Sequence, residues 1–408
     1  MAKVPKRSLY LLIFFVIVGL FLRVLYFHDL TFGYDQARDA LESIKIIKNL
    51  DIKIIGPTTD IRGLYHSPLY WYIISPFYYF SGGNPEIVRI PMILINLANI
   101  VFIYFFAKKL FKNEKMALLS SFFMVVSFEA VQYARWLSNP PPALLTIAIF
   151  FYGLWLVLER KKIGLPLMVF FWGFSVAFQF FLAYQIIFII FGFGYLLFLS
   201  RKVLIDSIKK YYWLYLGSLI PLSFYILAQI KFKFMGLISL LVHLTKGRDS
   251  SKQLLPYLTA FGKNLIENLA ANFTFYNFTI ARWFLIVFAL TLVYFIFKKK
   301  HIKIIIFLLI WLISPLIIYP LGNNDTYFLN IGIIYPLSML VVYTCYILVN
   351  LFNQSKTKRV FLVIIFSLIA FSNLFLIITK NKGGEFLFSV QYKQNLSDEK
   401  KIIDYLYT

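Results

Sequence analysis

Charge is scarce in this chain, and negative charge most of all. Only 14% of the 408 residues are charged, and 18 Asp and Glu stand against 41 Lys and Arg. A soluble globular domain is about 25% charged and about 45–50% apolar. Here 60% of residues are hydrophobic and 20% aromatic, which excludes a string of soluble domains. Cysteine is nearly absent: Cys345 stands alone in an apolar run, so no intrachain disulfide forms and the redox compartment stays open. Also missing are zinc-type Cys/His spacing, a phosphate-binding glycine loop, a Gly-x-Ser-x-Gly elbow and an internal repeat. Nucleotide-dependent chemistry therefore has no motif to rest on. The net charge of +23 does not point to nucleic acid, because the basic residues sit between apolar runs and not on one face.

What the chain does have is apolar runs of nearly membrane-spanning length. They fall at about 9–27, 87–107, 116–135, 141–158, 166–181, 183–199, 211–230, 282–297, 303–320, 329–350 and 360–379. A helix needs about 20 residues to cross the hydrocarbon. The expectation is an all-α, polytopic integral membrane protein of about eleven transmembrane helices, with interfacial helices in its first external loop. The first run follows Lys3, Lys6 and Arg7 and shows no small-residue cleavage site, so it reads as a retained anchor. The stretch 166–199 is too long for one crossing, and Gln179, Tyr184 and Gln185 mark a break into a hairpin. "SPLYWYIISPFYYF" (67–80) is too short to cross and holds Pro76, so it reads as interfacial or re-entrant.

Placing the N-terminus in the cytoplasm puts "KKLFKNEK", "ERKK", the 201–210 segment, "KKKHIK" and "KTKR" inside, with about half of the Lys and Arg and few acids. Three parts then lie outside: a first loop 28–86, a second large loop 231–281 and a tail, 381–408, ending in an amphipathic segment. The C-terminus is extracytoplasmic. The membrane domain covers 1–380, in the cytoplasmic (cell) membrane.

Three of the scarce acids follow the first run. In "YDQARDALESIKIIKNL", Ala37, Ala40, Leu41, Ile44 and Ile47 share one helical face, and Asp35, Asp39 and Glu42 share the opposite one. A helix lying flat on the membrane would bury the first face and aim the acids away from lipid. Asp60 follows in "GPTTDIRGLYHSPLYWY", beside Arg62, Tyr65 and His66. Helix capping explains Asp35 equally well from sequence alone. Glu129 is different in kind: it lies inside the third run, where a carboxylate is expensive and faces a protein interior.

These residues resemble a family. An Asp just after the first span, a long first external loop and the "HSPLYWY" segment look like the polytopic C-type glycosyltransferases, in particular the protein O-mannosyltransferase and aminoarabinose transferase groups. "NPEIVRIP" and "ARWLSNP" extend the resemblance over roughly residues 9–160. It implies transfer of a sugar from a polyprenyl-phosphate donor to an acceptor outside the cytoplasmic membrane. Where that family often shows a lysine before its prolines, this chain has His66; either it acts protonated or another cation takes that place. The late stretch "GNNDTYFLNIGIIYP" has no cation where the family often has an Arg-Tyr pair.

Such a reaction needs an outer-face carboxylate to take the acceptor's proton, and cations or donors for the leaving phosphate. Asp35 is the expected base and Asp60 the second acid. Arg135, His66, Arg62 and Arg282 are the expected donor-phosphate contacts. Glu129, Asp39 and Tyr65 are expected to line the cavity. No cofactor is required, although Asp35 and Asp60 could hold Mg²⁺ or Mn²⁺. Expected partners are the polyprenyl-phosphate sugar, an extracytoplasmic acceptor (protein, lipid or glycan) and the bilayer, with no nucleic acid. A transporter or flippase of lipid-linked sugars, or a surface-polysaccharide polymerase or ligase, is the alternative.

Overall fold

The computed structural model describes residues 5–59, 61, 63–246, 254–298, 301–320, 327–349, 355–382 and 395–407. Asp60 and Arg62 lie outside the described residues.

Among the described residues the architecture is helical, with isolated β-bridges only at Thr31–Asn395 and Thr58–Tyr65. Helix α1 (Lys6–Val24) leads to the first loop. That loop contains α2 (Tyr34–Lys48), α3 (Leu69–Phe80, with Pro76 inside it) and the single turn α4 (Pro85–Val88). The bundle continues with α5 (Ile90–Phe111), α6 (Glu114–Val126), α7 (Phe128–Arg135), α8 (Ala143–Leu158) and α9 (Gly164–Phe178). Then come α10 (Ile186–Leu199), α11 (Arg201–Gly217), α12 (Leu219–Lys231), α13 (Met235–Lys246), α14 (Leu254–Phe273) and α15 (Phe278–Phe297). Last are α16 (Ile302–Ile313), α17 (Ile334–Val349), α18 (Ser355–Asn381) and α19 (Leu396–Tyr407).

The protein is a polytopic membrane protein. Among the described residues, five helices are long and apolar enough to cross, and seven if the bent pairs α6–α7 and α11–α12 each count as one span. Helices α8, α9, α16 and α17 are apolar but shorter. Every apolar run read from the sequence is helical, while the number of full crossings stands between five and seven on length and composition. The predicted break in 166–199 is a 3-10 turn, Phe180–Gln185.

Lipid tails are as apolar as leucine, so close packing, and not the hydrophobic effect, joins helices in a membrane. Helices α8 and α9 show it: a Cβ on Gly153 would come within 2.9 Å of the Gly164 carbonyl oxygen. Large apolar side chains on α1, α10 and α15 point outward, as a lipid-facing surface requires.

The basic loops meet at one end of the bundle. Lys109 pairs with Glu159 at 2.6 Å, and Lys162 with Asp206 at 2.7 Å. The first loop lies at the other end of α5. The C-terminal helix α19 returns there: Leu396 N donates to Leu30 O at 3.0 Å, and Lys400 Nζ lies 2.7 Å from Glu86 Oε1. Leu396 packs in the apolar cluster of Leu30, Tyr70 and Trp71.

The α6–α7 bend of 51° has no proline; it breaks at Ser127, whose backbone leaves the helical region. A break inside a membrane orphans backbone groups on both sides, and each must find a partner. On the acceptor side, Arg23 supplies Nη2 to Met124 O at 3.0 Å and Nη1 to Val125 O at 3.3 Å. On the donor side, Phe128 N reaches Asn373 Oδ1 at 2.7 Å and Ala130 N reaches Ser127 Oγ at 3.1 Å. Arg23 is itself held by Asn96 Oδ1 at 2.7 Å. The bend is thus built into the bundle by three neighbouring helices.

Candidate functional site

Helix α2 begins at Gly33, whose N–H is received by Gln36 Oε1 at 2.9 Å. Asp35 therefore sits in the first turn and is not the cap. The face that α2 buries against protein is polar: Gln36, Asp39 and Ser43 are buried, while Leu41 is 60% exposed. Of the apolar face read from the sequence, Leu41 turns outward, while Ala40 and Ile44 are half-buried against the apolar cluster of Tyr70 and Trp71. What covers the acidic side is α3 and the α7–α8 connection, since Gln36 Nε2 donates to Leu137 O at 3.2 Å.

One arginine organises the acids. Arg38 Nη1 lies 2.7 Å from Asp35 Oδ1, and its Nη2 lies 2.9 Å from Asp39 Oδ1. Trp71 Nε1 on α3 also donates to Asp39 Oδ1, at 2.9 Å. Asp39 is buried and Asp35 remains 44% exposed. Burial pushes the Asp39 carboxyl up to about 6, and the Arg38 charge and the Trp71 N–H hold it from going higher. Asp39 is thus a buried support for Arg38, not a wall of an open cavity. Glu42 pairs with Lys45 and Lys53 farther along the helix.

A short hairpin brings the second motif to this helix. Gly56 N donates to His66 O at 2.9 Å and His66 N to Pro57 O at 2.8 Å, which makes a paired stem. Whether the two catalytic carboxylates named from the sequence converge lies outside the described residues. His66 is close enough to Arg38 and Asp35 to feel both charges. Burial, with Arg38 adding repulsion, brings its pKa down to about 4. That favours the neutral imidazole and leaves the phosphate to another cation; among the described residues its buried Nδ1 has no hydrogen-bond partner.

The hairpin rests on the α12–α13 turn. The Tyr65 ring lies 5.2 Å from that of Phe232, and a Cβ on Gly236 would strike the Gly63 carbonyl oxygen at 2.4 Å. Beside this contact a groove of about 360 Å³ is lined by Lys231, Phe232, Lys233, Met235, Ile238 and Ser239. Tyr65 is not one of the lining side chains, but its ring packs on Phe232, which is. Lys231 and Lys233 are cations that the sequence reading did not single out.

The other predicted residues have different surroundings. Arg135 directs its guanidinium to main-chain oxygens of two segments: Nη1 to Leu25 O at 2.6 Å and Nη2 to Asp29 O in the connection after α1, and Nη2 to Asn381 O at 2.9 Å. It ties the ends of α1, α7 and α18 together beneath the first loop. Glu129 is fully buried, and its Oε2 accepts from Asn268 Nδ2 at 2.6 Å and Asn272 Nδ2 at 3.0 Å. Asn264, Asn268 and Asn272 form a buried stripe on α14, which packs against α7, α15 and α18. Within the 231–281 segment, α14 is therefore packed into the bundle. Arg282 is exposed on α15, a helix packed on α14, α16 and α17. Among the described residues no three His, Cys, Asp or Glu side chains come together as a metal site would need.

A family model described as dolichyl-phosphate-mannose-protein mannosyltransferase matches residues 65–227. The structure superposes on the crystal structure of ArnT from Cupriavidus metallidurans bound to undecaprenyl phosphate. The TM-score is 0.59 at 11% identity, over 93% of this chain and 77% of that one. The fold is that of ArnT. No curated protein matches the chain. The likeness in fold extends over most of the chain, where the sequence motifs reached only about residue 160.

Proposed function

We propose that this protein is a membrane glycosyltransferase that moves a sugar from a polyprenyl-phosphate donor to an acceptor on the extracytoplasmic side of the cell membrane. The observation that carries the reading is the Asp35–Arg38–Asp39 cluster on a helix flanked by membrane spans. The family match over 65–227 and the undecaprenyl phosphate bound to ArnT support the donor class.

In this reading the acceptor hydroxyl attacks the anomeric carbon and its proton passes to the Asp35 carboxylate. The bond from that carbon to the phosphate oxygen breaks, and polyprenyl phosphate leaves with the electron pair. Charge at the anomeric carbon has oxocarbenium character, as in other glycosyl transfers. The phosphate is a weak base, so it needs cations more than a general acid. Lys231 and Lys233, at a groove beside the hairpin, are suited to that work, with Arg62 as a further cation read from the sequence. Arg38 fixes the orientation of Asp35, and Asp39 and Trp71 fix Arg38. Asp60 is the second acid and, with Asp35, the pair that would bind a divalent cation. The cytoplasmic N-terminus and extracytoplasmic C-terminus follow from the loop charges.

Purified protein in detergent, given a polyprenyl-phosphate sugar and a candidate acceptor, tests the proposal. Transfer needs no sealed vesicle. Activity in wild type that vanishes in Asp35→Asn supports it; a folded Asp35→Asn with full activity removes the mechanism.

A further inference from the structure

Three 3-10 segments interrupt the bundle: Phe180–Gln185 between α9 and α10, Ser314–Ile317 after α16, and Tyr327–Asn330 before α17. In a membrane protein, irregular backbone is tolerated where it is buried in protein or lines a polar cavity. Here the three are joined by side chains. Tyr184 Oη and Ser314 Oγ are 3.1 Å apart, linking the first segment to the second. Tyr319, just past the second, donates to Asn330 Oδ1 in the third at 3.0 Å and accepts from Asn264 Nδ2 of α14 at 2.9 Å.

Among the described residues, this junction carries amide groups with no protein partner. Gln185 is fully buried, and neither its Oε1 nor its Nε2 makes a hydrogen bond; the same holds for Gln179 Oε1 and Asn330 Nδ2. A buried amide group left unmade is costly, and such groups persist where something polar meets them or where function requires it. Amides supply both donors and acceptors without charge, which is the chemistry that hydroxyl-rich neutral groups match. The site adjoins the acid cluster through one connection. Asn139 Nδ2 donates to Phe178 O at 2.7 Å, one residue before Gln179. Two residues back, Leu137 O receives Gln36 of α2, one residue after Asp35.

We propose that this junction is the recognition site for the hydroxyls of the transferred sugar, with Gln179, Gln185 and Asn330 as specificity-determining residues for a neutral hexose or pentose. The inference rests on the glycosyltransferase reading and assigns its sugar subsite. The cations of the groove would take the phosphate, and the amides would take the sugar.

The test is binding by the full-length protein in detergent of undecaprenyl phosphate, bare and carrying a neutral hexose or pentose from a small panel. Wild type should prefer at least one loaded carrier over the bare one. Gln185→Met and Gln179→Met, which keep side-chain length and remove the amide, should weaken that loaded carrier roughly ten-fold or more, the scale of one lost hydrogen bond. Their affinity for the bare carrier should stay within about two-fold. Gln185→Met should also raise the melting temperature of the lipid-free protein, because it removes an unmet amide. Equal weakening toward both carriers, or no change toward either, overturns the subsite while leaving the transferase reading standing. A wild type that binds neither carrier overturns both.

Discussion

Arg38 and Asp35 face each other across one helical turn, with Nη1 2.7 Å from Oδ1. The guanidinium holds Asp39 with its other arm, so a half-exposed carboxylate is fixed by a buried one. Replacing Arg38 by Lys keeps the charge but loses the fork that engages two carboxylates. Arg38→Lys should therefore retain the fold and lower transfer by about 10²-fold, the low end of what a misplaced base costs. Arg38→Ala should in addition lower stability by about 1–3 kcal/mol, because it strips Asp39 of its counter-charge. Steady-state transfer and thermal melts of both variants check this.

Asp39 makes stability pH-dependent in a defined direction. Its carboxyl titrates at about 6 in the folded protein against 3.8 for the ordinary group. Between those values the folded state holds a proton that the unfolded state has released, so stability falls as pH rises through this window. The loss is about 3 kcal/mol for a shift of about two units. Melts from pH 4 to 7 should show the decline in wild type and a flatter profile in Asp39→Asn.

His66 is expected to act as a neutral group. A pKa near 4 leaves it uncharged through the working range. His66→Gln should keep transfer within about three-fold, whereas loss of a needed cation would cost far more. A pH–rate profile whose acidic limb disappeared in His66→Gln would contradict this.

The α6–α7 bend depends on side chains far away in sequence. Arg23→Met leaves the Met124 and Val125 carbonyls without their donor, and Asn373→Leu leaves the Phe128 N–H without its acceptor. Each substitution should lower stability by about 1–3 kcal/mol per orphaned group, with Arg23→Met the more damaging. Because Arg135 ends the bent segment, both variants should also depress transfer at temperatures where they remain folded.

The C-terminal helix should be needed for the first loop to hold its shape. Leu396→Asp puts a charge into the cluster that contains Trp71, and should cost a few kcal/mol and most activity. Lys400→Glu alone should cost less than about 1 kcal/mol, since Lys400 is 49% exposed. Pairing it with Glu86→Lys should restore part of the loss, as a double-mutant cycle on thermal melts would show.

The sequence reached the helices and the first-loop acids because both break composition rules: long apolar runs announce spans, and acids are rare enough here to be conspicuous. Arg38 stood in plain view in "DQARD" and was passed over, because i to i+3 pairing is ordinary on a solvated helix. Only the burial of Asp39 makes it an organiser. Arg23 was read as part of a span, since the carbonyls it serves are orphaned only by a bend that no proline announces. The asparagines at 264, 268 and 272 have clean i to i+4 spacing, yet in an Asn-rich chain that spacing alone says little. Glu129 was recognised as facing protein, but its partners sit more than 130 residues away in sequence.

The pairing of Leu30 with Leu396 and of Glu86 with Lys400 joins segments more than 300 residues apart in the chain. The loop carrying Asp35 is therefore made long before the helix that fastens it. Until α19 docks, the acids lack one of their supports, so a chain cut ahead of α19 would keep its spans yet be unfinished at its working face.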